Sequence, residues 1–204
     1  MRTLTVLLLA LVLVAGAETV TFQPDAAVGK DTWIYSSEPD TNYGVLPHTY
    51  WGHTDDDIVI TYIEFTELDE SEYQGAAVNN AFLSLYLWSV TGTGDFEVGA
   101  CEASWNEDTI TWNTYVGIVE SFSQPFPADG GWITIEVTDY VQNWLDGTWD
   151  NYGFCLYNSV SLNVHTTAPT SDYTDDPTLR PKLILDYSGA AIEEATWGEI
   201  KASL

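Results

Sequence analysis

The sequence predicts an all-β protein: an antiparallel β-sandwich with one short helix and a short helical tail at the C-terminus. Three observations point there. Short runs rich in Val, Ile, Thr, Tyr, Phe and Trp alternate with turn residues along most of the chain. Within those runs apolar and polar residues alternate with the two-residue period of a strand with one face buried. No long amphipathic helical pattern appears before the last residues. The 204 residues are 45% hydrophobic and 14% aromatic, too apolar for a disordered chain and enough for one well-buried core.

The elements follow in order. Met1 and Arg2 give a positive start, Leu4 to Val14 is apolar apart from Thr5, and Ala15-Gly16-Ala17 supplies the small residues of a cleavage site. Residues 1–17 therefore read as a secretory signal peptide, 18–187 as one β domain, and 188–204 as a linker and tail. The signal's apolar run is too short to cross a bilayer, and no later segment is apolar enough to do so. Strands are expected at Thr19–Phe22, Thr32–Tyr35, Ile58–Phe65, Ala81–Trp88, Phe96–Ala103, Thr109–Trp112, Trp132–Val137, Tyr152–Tyr157 and Lys182–Tyr187. Turn residues separate them, among them Asn42-Tyr43-Gly44, Thr91-Gly92-Thr93-Gly94-Asp95 and Asp129-Gly130-Gly131. A short helix is expected from Thr138 or Asp139 to Leu145, capped by one of those two residues, with Val141, Trp144 and Leu145 on its buried face. Such a set of short strands and regular turns makes an antiparallel sandwich or barrel. In the tail, Ile192, Thr196 or Trp197, Ile200 and Leu204 fall near one face of a marginal helix.

Alternation sorts the side chains. In the run to Trp88, Ala81, Leu83, Leu85 and Leu87 face the core, and Phe82, Ser84, Tyr86 and Trp88 face outward. Ile63 and Phe65 go in, leaving Tyr62 and Glu64 outside. Ile133, Ile135 and Val137 go in, leaving Trp132, Thr134 and Glu136 outside. The result is an aromatic-rich outer face, which a soluble monomer usually avoids.

Charge narrows the partners. Thirty-one acidic against five basic residues give a formal net charge of −26. Too few cations are present to displace counterions from nucleic acid, and the field repels anionic membranes and polyanions. Cys101 and Cys155 each point away from the apolar residues of their strands. Export permits a disulfide between them if those strands are neighbours; two free thiols are the alternative.

Several segments in order resemble the DNRLRE-type domain, a secreted β-sandwich module grouped among carbohydrate-binding modules. They are Asp31-Thr32-Trp33-Ile34 with Pro39-Asp40-Thr41-Asn42-Tyr43-Gly44, then Tyr62-Ile63-Glu64-Phe65 and Ala81-Phe82-Leu83-Ser84-Leu85-Tyr86. The most specific are Trp105-Asn106-Glu107-Asp108-Thr109-Ile110-Thr111-Trp112-Asn113 and Val137-Thr138-Asp139-Tyr140-Val141-Gln142-Asn143-Trp144, closed by Asn151-Tyr152-Gly153-Phe154 and Arg180-Pro181-Lys182-Leu183. The resemblance implies a jelly-roll sandwich, usually a non-catalytic module of exported or surface proteins. Some members bind acidic polysaccharides such as alginate, a preference the acidic charge of this chain opposes.

Site candidates follow. A pyranose presents an apolar face that stacks on Trp or Tyr and hydroxyls that need polar neighbours. Tyr62, Phe82, Tyr86, Trp88 and Trp132 are the outward aromatics, with Glu64, Ser84, Thr134 and Glu136 beside them. Asp55, Asp56 and Asp57, and the group Asp172, Asp175 and Asp176, offer loop oxygens for a structural calcium ion; solvated acidic loops are the alternative. No cofactor motif, nucleophile elbow, zinc-hydrolase motif or phosphate loop occurs, so no catalysis is expected. Trp105 and Trp112 read as packing residues around a polar turn, Glu107 as a residue closing that turn or bonding an indole, and Arg180 as the partner of a carboxylate. Two functions fit: an extracellular or cell-surface module binding a polysaccharide, neutral by the charge argument, and a structural or adhesive surface protein that self-associates or binds another protein.

Overall fold

The computed structural model of the protein describes residues 16–158 and 160–189. The expected tail helix and most of the expected signal lie outside these residues. In chain order come β1 (Ala17–Phe22), β2 (Lys30–Tyr35), β3 (His48–Thr54), β4 (Asp57–Glu64), β5 (Ala77–Leu87), β6 (Ser89–Thr91), β7 (Asp95–Cys101), β8 (Ile118–Pro125), β9 (Gly131–Glu136), α1 (Thr138–Leu145), β10 (Phe154–Tyr157), β11 (Val164–Pro169) and β12 (Lys182–Ser188). All strand pairs are antiparallel. Four strands form a small sheet in the order β1-β12-β5-β9, and eight form a large one, β6-β11-β3-β4-β10-β7-β8 with β2 also paired to β4.

The main core gathers the inward positions of both sheets. Ala81, Leu83, Leu85 and Leu87 of β5 and Leu183 and Leu185 of β12 share it with Ile63 of β4, Val98 of β7, and Phe154 and Leu156 of β10. Each fully buried leucine contributes about 1.5–3 kcal/mol, so the strict alternation along β5 alone fixes which face of the small sheet turns inward. Helix α1 closes one end. Val141, Trp144 and Leu145 are buried, and the Trp144 ring meets Phe154 edge-on at 4.9 Å. The helix start differs from expectation: Val137 is the N-cap and no side chain caps it. Thr138 Oγ1 instead accepts the amide of Ala81, and Gln142 Oε1 accepts that of Val78, so both side chains fasten α1 to β5.

A second, smaller cluster lies on the other side of the large sheet. Ile34, Tyr62, Cys101 and Cys155 pack there against Trp105 and Ile110. The last two belong to the segment 102–117, which covers that outer face. The expected strand at Thr109–Trp112 is absent. Asn106 Oδ1 accepts from the Asp108 amide and the Thr109 hydroxyl, and a short 3-10 turn follows at Trp112–Thr114. Asn42 Nδ2 donates to the carbonyls of Glu107 and Ile110. Gly44 packs so closely on this turn that a Cβ there would lie 2.3 Å from Glu107 O. The expected motifs around Asn42 and Trp105 thus form one interlocked cover.

Four strands go beyond the expected set: β3, β6, β8 and β11. β3 loses its alternation at Gly52, whose φ of +130° an L side chain rarely adopts. It pairs with β4 only over Gly52–Thr54, and before that with β11 alone along β3's remaining length. The aspartates at 55 and 56 are the two-residue connection of that hairpin, with Asp55 at φ +47°, a conformation Asp tolerates better than most residues.

Candidate functional site

The outward face of the small sheet carries an open aromatic platform. The β5–β9 register sets Tyr86 opposite Trp132, Ser84 opposite Thr134 and Phe82 opposite Glu136. On the other side of β5, Lys182 of β12 lies opposite Ser84. The rings of Tyr86 and Trp132 meet edge-on at 5.5 Å, and Lys182 Nζ sits 4.3 Å from the Trp132 ring centre. Trp132 keeps 43% of its surface exposed and Trp88, one residue past β5, keeps 41%. Trp88 meets Tyr173 edge-on at 5.2 Å. Ser84, expected outside, is only 7% exposed, so the apolar rings stand among the Thr134 hydroxyl, a carboxylate and an ammonium group, which is what a sugar ring asks of a surface.

Tyr62 does not belong to this platform. It lies on the other sheet and is fully buried, its hydroxyl donating to Val116 O and its ring 5.5 Å from Trp105. Glu64, also expected outside, is 6% exposed and pairs with Lys30. Alternation assigns both to the correct side of β4, but segment 102–117 covers that side. Burial pushes the Glu64 carboxyl up, with Lys30 opposing the shift.

A second aromatic group gathers where β3 parts from β4. Trp33 stacks on Tyr43 at 3.8 Å and lies 5.8 Å from Tyr50, which stacks on His165 at 5.9 Å. Trp33, Tyr35, Tyr50, Thr54 and Val59 line a cavity of about 250 Å³. Trp33 and Tyr35 stand two apart in an expected strand and so on one face, a signal the sequence-based site candidates did not use; Tyr50 lies in a strand that alternation does not reveal. The cavity is smaller than the roughly 300–1,000 Å³ of ordinary ligand pockets. A larger hollow of about 730 Å³ lies between β8 and α1, with Glu120, Glu136 and Asp139 at its wall. Its Tyr140 donates to Val98 O and Glu120 O and so serves as a support.

The acidic candidates separate. Asp57 accepts from the hydroxyls of Tyr35 and Ser36, and these bonds, with one from Ser37 as the largest cause, hold its carboxyl below the usual range. Asp176 accepts from the amide and hydroxyl of Thr178, and Asp175 is exposed. Among the described residues neither Asp55 and Asp57 nor Asp175 joins a group of three acids; Asp172 does, with Asp31 and Glu107 instead. Their nearest oxygens all lie within 4.8 Å of one another. Burial pushes the Asp31 and Glu107 carboxyls up to about 7 each, and raises Asp172. Glu107 closes no indole bond; its Oε1 accepts the Asp31 amide. Arg180 donates to Tyr173 O and not to a carboxylate.

The two thiols are free and buried. Their strands are neighbours and their side chains share a face, but Cys155 stands opposite Gly99, and Cys101 bonds through its amide to Gly153 O. The register therefore sets the cysteines diagonally, where opposed neighbours would be needed for an unstrained bridge. Burial holds both thiols above their ordinary range.

The family model of carbohydrate-binding module family 96 matches residues 19–186, from β1 into β12. The chain belongs to this family. The match takes in both sheets, α1 and segment 102–117 together. No curated protein matches the sequence. Among the described residues no helix is long and apolar enough to cross a membrane.

Proposed function

We propose that this family 96 module acts outside the cell as a non-catalytic binder of a neutral polysaccharide, and that the platform of Tyr86, Trp88 and Trp132 with Phe82 beside them holds the sugar. The single observation that carries this reading is the exposed Trp132 ring, packed edge-on against the half-buried Tyr86 on the outward face of β5 and β9. A sugar ring stacks on the Trp132 face, and Thr134, Glu136 and Lys182 lie on the same sheet face to meet its hydroxyls. A flat face suits an internal stretch of a polymer better than the 250 Å³ cleft at Trp33 does. The charge of −26 disfavours an anionic chain.

The test is a pull-down on a panel of neutral and anionic polysaccharides with the wild type and the Tyr86→Ala/Trp132→Ala variant, alongside a reducing-end assay. Retention on a neutral polymer that the variant loses, with no reducing ends released, is the expected result. Retention unchanged in the variant ends the platform reading, retention on anionic polymers alone ends the neutral one, and release of reducing ends ends the non-catalytic one. Concentration-dependent association in solution that the same variant abolishes, without polysaccharide retention, replaces all three with a self-associating surface protein.

A further inference from the structure

The platform reading leaves unexplained why three carboxylates converge beneath the cover of the large sheet. Asp31 comes from β2, Glu107 from segment 102–117, and Asp172 from the connection between β11 and β12. Ser171 N donates to Asp31 Oδ2 at 2.8 Å, and Asp31 N donates to Glu107 Oε1 at 2.9 Å. These contacts draw together positions 140 and 76 residues apart in sequence.

Two atoms in this cluster lack partners. Asp31 is 3% exposed and its Oδ1 makes no well-aligned hydrogen bond; Ser171 is 1% exposed, and its Oγ, near the Asp31 carboxyl, makes none either. A buried carboxylate oxygen and a buried hydroxyl without partners are each costly. The basic residues nearby make their direct contacts elsewhere and act on the cluster only through their fields, Arg180 on Asp172 and Lys30 on Glu107. Lys30 bonds Glu64 and lies over the Trp105 ring at 4.4 Å, and Arg180 donates to Tyr173 O. Among the described residues the one salt bridge is that between Lys30 and Glu64, so no ammonium or guanidinium neutralises the three acids by direct contact.

We propose that Asp31, Glu107 and Asp172, with Ser171 Oγ beside them, form a calcium site that fastens segment 102–117 to β2 and to the β11–β12 connection. The dimensions fit. Calcium binds oxygens at about 2.3–2.6 Å, so two ligands on opposite sides of one ion lie about 4.8 Å apart, and the three carboxylates offer oxygens within 4.8 Å of one another. The donor set fits as well: it holds oxygen alone, which favours a hard cation over zinc or copper. Three carboxylates from three segments suit the loose geometry of calcium better than the strict octahedron of magnesium. A cation held by the Asp31 carboxylate offsets the cost of its buried, unpartnered Oδ1. It also closes two long loops with a single group, where a clip is most effective. Its function is structural, and it stands whether or not the platform binds sugar.

The test is calorimetric titration of the purified, chelator-treated protein with calcium chloride and separately with magnesium chloride, together with thermal unfolding in each. Calcium is expected to bind with one-site stoichiometry and to raise the melting temperature by roughly 5–10 °C at a hundredfold excess over its dissociation constant. Asp172→Asn, at a ligand less buried than Asp31, is expected to weaken calcium binding by more than the roughly 10–100-fold that loss of an outer-shell partner costs. Asp175→Asn, an exposed neighbour outside the cluster, is expected to bind as the wild type does. No binding heat together with an unmoved melting temperature overturns the proposal. So does calcium binding that survives Asp172→Asn undiminished or is lost in Asp175→Asn, and so does a preference for magnesium.

Discussion

The two outer faces of this sandwich start from the same kind of sequence and end differently. On the small sheet, Phe82, Ser84, Tyr86, Trp132 and Thr134 alternate with core residues; Ser84 is buried and Phe82 and Tyr86 are half-buried, but Trp132 stays 43% exposed. On the large sheet, Ile34, Tyr62 and Glu64 alternate with core residues in the same way, yet Trp105, Ile110 and Val116 close over them. An aromatic residue on one face is a surface available to a ligand; on the other it is a second core. The difference lies not in the strands but in a sixteen-residue connection, 102–117, pinned at Asn42, Gly44 and Asp31.

The sharpest way to break the comparison is to remove one indole from each face. Trp105→Ala is expected to cost about 3–5 kcal/mol of stability, because it empties the covered cluster. Trp132→Ala is expected to change stability by less than about 1 kcal/mol. Urea unfolding of both variants measures the contrast, and equal costs would mean that the platform is covered too.

Acidity provides the next test. Burial raises the Asp31 and Glu107 carboxyls to about 7 from ordinary values of 3.8 and 4.5. With chelator present, the folded protein holds protons between these limits that the unfolded chain has released. The stability they confer is therefore complete below the ordinary values and is lost as pH rises through about 7. Urea midpoints are expected to fall between pH 5 and pH 8 in chelator, and to fall less in calcium, where the ion stands in for the proton. Parallel profiles in the two conditions would separate the carboxylates from any bound cation.

Two smaller effects refine each face. Tyr62→Phe deletes the hydroxyl that donates to Val116 O, and the carbonyl left behind is expected to cost about 1–2 kcal/mol by denaturant titration. On the open face, Lys182→Ala removes the ammonium group over Trp132, and is expected to cost about 0.5–1 kcal/mol or less. Its effect on polysaccharide retention should be weaker than that of removing the ring itself.

The strands that carry the main core could be read from the sequence because their neighbours on one face are apolar and on the other polar. β5 is the clearest case, and α1 announces itself by Val141, Trp144 and Leu145. What escaped were strands where that contrast fails: β6 has three residues, β8 is an edge strand with polar positions on both faces, and β3 switches sides at Gly52. Periodicity assigns Tyr62 to a side but does not say what covers that side, because the cover comes from residues 40 to 55 positions away in the chain. The same blindness holds for Asp31, Glu107 and Asp172. Their meeting depends on register and loop path, whereas the aspartates at 55–57 are adjacent in sequence and form only a hairpin connection and the first residue of β4.

The pairing of β1 with β12 has a consequence for attachment. Ala17 faces Ser188, and Ser188 in turn faces Ala77 at the start of β5. Both ends of the sandwich therefore leave from one corner, while Tyr86 stands nine residues along β5, about 30 Å away at the rise of a strand. Anything tethered at either end, whether a partner domain or an anchor, pulls from the corner remote from the aromatic rings. The domain can then lean its flat side against an extended surface without its own leash lying in between.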